Sequence, residues 1–305
     1  MQFGIQGSPN QRFAVDAALS NVEQMARWQR MLPSHWTHLA KPGSHLDALL
    51  DELPRGPVDL RETLFEGLWA GFTCLEEVAS FARQERGSAS PPVLTVLRTA
   101  MLAGSRVIYA VAPSTKSSDQ LARATTVMAQ EAASVRRLYE MSEGYRDAGI
   151  VNLPPQDQID ERLELAEELL AKRPFFGDAK LLEGVATVTA ELLEEIGQGS
   201  TPNITHDLLW LFNVGSGVAH GLGWPSQLLW VGSFPTNLPR DFLLARIIVD
   251  HAHQLVLEES GIGTGLKAVG KQRNRRRSRP PRSRLLGRLG WRRQPQPDDD
   301  ALDPG

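Results

Sequence analysis

From Val93 to Ala112 the chain is almost continuously apolar, with Arg98 and Arg106 as its only charged residues. A helix that is apolar around most of its circumference has to be covered on several sides, so this run predicts a central, buried helix. Ser90 followed by Pro91 and Pro92 supplies its start, a capping hydroxyl and then a ring that presets φ. Pro113 ends it. Ser117 and Ser118 can cap the next helix. There Leu121, Thr125, Met128, Ala132, Val135 and Tyr139 recur at spacings of four and three, a seam for packing on another helix. Pro154 and Pro155 break the chain again. Asp157, Asp160 and Glu161 then crowd a first turn and Lys172 and Arg173 a last one, as the helix dipole favours, and Pro174 stops that helix. The same pattern predicts helices near 11–30, 58–86, 179–197, 203–220 and 240–259, with irregular segments at 33–57 and 222–238.

No stretch alternates as a strand would, and no period repeats. The expected fold is therefore all-α, an antiparallel multi-helix bundle with a disordered basic C-terminal tail. Residues 1–57 form an N-terminal helix and irregular segment on the bundle, 58–260 the main bundle, and 261–305 the tail.

Composition sharpens this in three places. With 41% hydrophobic and 23% charged residues, the 305-residue chain has an ordinary globular balance. Its one cysteine, Cys74, excludes an intramolecular disulfide and a Cys-rich zinc site. Placed among Phe72, Leu75 and Val78, it reads as core packing. The formal charge of -3 conceals a division. Residues 267–293 hold 12 Lys and Arg and no acid, whereas residues 1–266 hold 21 basic and 32 acidic side chains, a net of -11. The glycines Gly261, Gly263 and Gly265 mark the junction between the two.

The first 20 residues carry Arg12 and Asp16 and lack the apolar core of a secretory leader, so a cytoplasmic location is expected. From Leu208 to Pro239 no charged residue occurs, but Asn213, Ser216, His220, Pro225 and Gln227 interrupt the stretch. A buried segment is expected there, not a transmembrane one.

Candidate chemistry begins at Thr205–Gly221. Wound as a helix, this segment gathers His206, Asn213, Ser216 and His220 into a polar ridge that contains no Lys, Glu or Arg. Solvated faces normally carry such charges. Neutral hydrogen-bonding groups beside Trp210 suggest a pocket, a neighbouring helix or a homodimer contact instead. His220 and Gly221 also suit a helix C-terminus, as a last-turn cation and a left-handed cap. On the central helix, Arg98 and Arg106 lie eight residues apart, and buried guanidinium needs a partner. Carboxylates on helix 157–172 are one source. An anionic ligand held by Arg98 or Arg106 together with Ser216 and His220 is another.

The Arg98-x7-Arg106 helix and the Ser216-x3-His220-Gly221 turn resemble uncharacterised helical proteins of actinobacteria, a source that Arg outnumbering Lys by 27 to 6 also suits. More distantly the arrangement is similar to the HEPN superfamily of helical bundles, many of them RNA-cleaving toxins or defence proteins. That resemblance implies an Arg five to seven positions before a catalytic His. Before His220 those positions hold Asn213, Val214 and Gly215. The spacing occurs instead at Arg30 and His35, and at Arg246 with His251 and His253, against about two such pairs expected from composition. Arg246 also lies one turn from Asp250, which can reach His253, so an internal charge network accounts for these residues equally well.

His35, His38 and His45, with Asp47 and Asp51, have the donor types of a zinc site but continue no metal motif, and no metal or cofactor is expected. Gly215, Gly217 and Gly221 lack the strand that a dinucleotide fingerprint requires, and they read as close helix packing. Ser216 lacks a hydrolase elbow.

The tail contributes Arg273, Arg275, Arg276, Arg277, Arg279, Arg282, Arg284, Arg288, Arg292 and Arg293. One reading of it is a solvated tail with no dedicated partner. The others are attraction to nucleic acid and docking to an anionic membrane surface (helped by Leu285, Leu286, Leu289 and Trp291), and the segment could also fold against the chain's own acidic body. The expected function is a non-enzymatic binding or regulatory protein associated with nucleic acid through the tail. The alternatives are a HEPN-like ribonuclease or toxin component and a peripheral membrane adaptor.

Overall fold

The computed structural model describes residues 40–84, 91–113, 117–147, 154–172, 177–195, 201–222 and 238–261. Among these residues there are eight helices and no strand. They are α1 (His45–Glu52), α2 (Leu60–Gln84), α3 (Pro91–Val111), α4 (Ser117–Asp147), α5 (Gln156–Lys172), α6 (Asp178–Glu195), α7 (Thr201–Ala219) and α8 (Leu238–Glu259). The all-α bundle is as expected. The helix expected near 11–30 and the tail lie outside the described residues.

Helix α3 is the axis on which the others are assembled: it packs against α2, α8, α7, α4 and α6. Leu94, Leu97, Ala100, Met101, Ile108 and Val111 on α3 are at most 1% exposed. It is also the one described helix long and apolar enough to cross a membrane, and its coverage inside the bundle explains that composition. Small residues let its neighbours approach. A Cβ on Gly104 would lie 3.1 Å from the Cα of Val249, so α8 crosses α3 almost backbone to backbone there. The C-terminal carbonyls of α3 are taken up by α4: Gln120 Nε2 donates to Val111 O at 2.9 Å, and Arg123 Nη2 donates to Ala112 O.

Segment 33–57, expected to be irregular, contains α1. Ser44 Oγ accepts from Asp47 N at 3.2 Å and Asp47 Oδ2 from Gly43 N at 2.8 Å, so the first turn is capped from both sides. Leu46 and Leu49 are buried. Lys41 N donates to Ser260 O at 3.0 Å, and His45 pairs with Glu259, fixing this segment to the end of α8.

Candidate functional site

Helix α7 lies on α3 at unusually short range because Gly215 faces it. A Cβ at that position would lie 2.7 Å from Arg98 Cβ and 2.8 Å from Leu94 O. The close approach places Ser216 and Phe212, on the same flank of α7, against the Arg98 side chain. Arg98 Nε donates to Ser216 Oγ at 2.6 Å, and the guanidinium lies over the Phe212 ring, 4.8 Å from its centroid. The stem is therefore held by a hydrogen bond and a cation–π contact. No described carboxylate lies within ion-pair distance of Arg98, and its two terminal nitrogens make no hydrogen bond to a described residue. Burial pulls the Arg98 pKa down, Asp178 opposes that shift, and Arg106 adds to it. The cation nevertheless stays charged at any ordinary pH.

Arg98 opens onto a groove of about 750 Å³ between α2, α3, α4 and the start of α6. Phe65, Leu102, Val107 and Val127 supply its apolar lining. Its charged lining consists of Arg61, Arg98 and Arg106 against Asp59, Glu62, Glu66, Glu131 and Asp178. Some of these charges are already engaged. Arg106 spans Glu131 at 3.4 Å and Asp178 at 3.5 Å, both long for ion pairs. Asp59 Oδ1 accepts from Arg61 N at 2.7 Å and so caps α2. Others are not. The Nε atoms of Arg61 and Arg106 are buried without a partner, and Glu62 and Glu66 form no ion pair with a described residue.

The expected polar ridge divides. Ser216 turns inward to Arg98, but His206, Asn213 and His220 are exposed. At 100° per residue Ser216 stands about 60° from Asn213, on the side of Phe212, so only it reaches the interface with α3. The absence of charge was thus not a sign of burial within this chain for the other three. His220 closes the helix as expected, and Gly221, at φ 66°, is the left-handed cap. Gly221 N donates to Val218 O at 3.0 Å and Leu222 N to Gly217 O at 2.9 Å, a Schellman ending.

The expected partners of Arg98 and Arg106 on helix 157–172 are also corrected, since Glu131 of α4 and Asp178 of α6 serve Arg106 instead. Arg246 is bound to Asp250 at 3.1 Å, so an RNA phosphate would have to displace that carboxylate. Asp250 makes no bond to His253, which is 7% exposed and packs edge-on against Phe72, 5.6 Å between centroids. The His251 Nε2 is buried without a partner. Burial pulls both histidines below their usual pKa. Neither lines the groove. Among the described residues no three His, Cys, Asp or Glu cluster as metal donors. His45 is paired with Glu259, while His35, His38, Arg30 and the tail arginines lie outside the described residues.

Sequence reasoning missed Arg61, Glu62, Glu66, Glu131 and Asp178. Each stands where a solvated helix face or first turn would place it, and only the packing of four helices makes them one surface. Compared with protein-family models, curated proteins and solved structures, the chain matches none.

Proposed function

We propose that this chain is a non-enzymatic binding or regulatory protein that holds an anionic oxygen group, carboxylate or phosphate, on Arg98 in the groove between α2 and α3. The observation that carries the reading is the fixation of Arg98. Ser216 and Phe212 immobilise the guanidinium from behind and leave its forked edge without a carboxylate, although five carboxylates line the same groove. A guanidinium fixed in advance forfeits little side-chain entropy on binding and can donate two parallel bonds to one anion.

The test is thermal unfolding in sodium phosphate or acetate against sodium chloride at equal ionic strength. A ligand that binds only the folded state at about 100 times its Kd adds about 2.7 kcal/mol, which reads as a rise in Tm. Both oxyanions should raise Tm in the native chain but not in Arg98→Gln. An equal rise in the two proteins would remove Arg98 as the anchor. The basic segment 267–293 adds, in this reading, a separate attachment to nucleic acid through its phosphates.

A further inference from the structure

We infer that the groove takes a ligand carrying both signs of charge, an extended peptide segment or peptide-like zwitterion, with its anionic group on Arg98 and its cationic group on Glu62 and Glu66. This rests on the anchor reading above and names the ligand class for the same site. A simple oxyanion would satisfy Arg98 but face a lining in which five carboxylates outnumber three guanidinium groups. A simple cation would satisfy the carboxylates but leave Arg98 and Arg61 uncompensated. Much of the lining is already engaged: Arg106 spans Glu131 and Asp178, and Asp59 caps α2. What remains without an ion-pair partner among the described residues is Arg98 and Arg61 on one side of the balance and Glu62 and Glu66 on the other. Glu62 and Glu66 stand one turn apart on α2, an arrangement of like charges that a bound cation would relieve.

Shape agrees with charge. Arg98 and Arg106 are separated by eight residues of α3, or about 12 Å of trench at 1.5 Å per residue, which an extended peptide covers in about four residues. A volume of about 750 Å³ falls within the usual range for bound small molecules, and Phe65, Leu102 and Val107 offer an apolar lining for a side chain between the two charged ends.

The tripeptide alanyl-leucyl-alanine tests this in four forms: both termini free, amine acetylated, carboxyl amidated, and both blocked. Each is titrated into the full chain by calorimetry at pH 7. The free form should bind about tenfold or more tightly than either singly blocked form, the equivalent of one charge-assisted contact. In the Glu62→Gln, Glu66→Gln double variant the free form should fall to the affinity of the acetylated one, with Tm no lower than that of the native chain. If the acetylated form binds the native chain as tightly as the free form, the two-charge ligand is overturned and the Arg98 anchor stands. The two-charge ligand is equally overturned if no form binds while phosphate still raises Tm through Arg98. If the amidated form binds as tightly as the free form, both readings fall.

Discussion

Asp250 shows how a single buried carboxylate imposes a pH dependence that can be assigned to it. Arg246 reaches its Oδ2, but its Oδ1 is buried without a partner. Burial outweighs the arginine and pushes the carboxyl pKa up to about 6. The folded protein therefore binds this proton more tightly than the unfolded chain does. The resulting stabilisation is present below the unfolded pKa near 4 and disappears as pH rises through about 6, a change on the order of 2–3 kcal/mol. His251 and His253 act in the opposite direction. Burial depresses both, so the stability they contribute is present above about 6.5 and is lost as pH falls. The net profile of the native protein mixes the two effects, and a variant separates them. Urea unfolding of Asp250→Asn and the native chain between pH 4 and pH 7 should show the native chain losing stability relative to the variant as pH rises. A difference independent of pH would mean that Asp250 ionises normally.

At the scale of elements, the contact of α7 with α3 depends on the missing side chain of Gly215. Gly215→Ala would place a methyl 2.8 Å from the Leu94 carbonyl, an atom that cannot rotate aside, and 2.7 Å from Arg98 Cβ. The helices must separate, at a cost of about 1–3 kcal/mol by the usual measure of overpacking. Because the same separation pulls Ser216 from Arg98, Gly215→Ala should also weaken oxyanion binding. Ser216→Ala should weaken it with a smaller loss of stability. Denaturant midpoints and the phosphate-induced Tm shift read the two effects independently, and a Gly215→Ala protein with native values of both would refute this account of the contact. These elements also show what was legible. The centrality of α3 was, because an apolar run that long has no other resting place. The close packing at Gly215 and the cap at Gly221 were too. Helix α1 was overlooked although Ser44 and Asp47 spell a capping pattern, because eight residues hold too few turns to display a period. The groove was illegible for a different reason. Periodicity tells which face of a helix is apolar but not which helices meet, and Arg61 and Asp178 share a wall only after folding.

At the scale of the whole molecule, the decisive quantity is the separation of charge along the chain. A body of net -11 repels nucleic acid at long range, so affinity for it is expected from residues 267–293, where 12 basic residues occur without an acid. Attraction of that kind is mostly counterion release. With about six to eight phosphates neutralised on a single strand, the logarithm of the association constant should fall with the logarithm of salt concentration with a slope of about -4 to -6. An acidic body that attracted the same arginines would, being tethered to them, compete at a high local concentration. Salt weakens that internal competition as well, so the measured slope should be shallower than the number of contacts alone implies. Removal of residues 267–305 should abolish binding to a labelled single-stranded RNA at every salt concentration, while leaving the thermal shift with phosphate intact, because Arg98 belongs to the bundle and not to the tail. Fluorescence anisotropy over a salt series reads the first result and thermal unfolding the second. RNA binding that survives the deletion with an unchanged slope would move the nucleic-acid contact onto the bundle and deprive the tail of its proposed role.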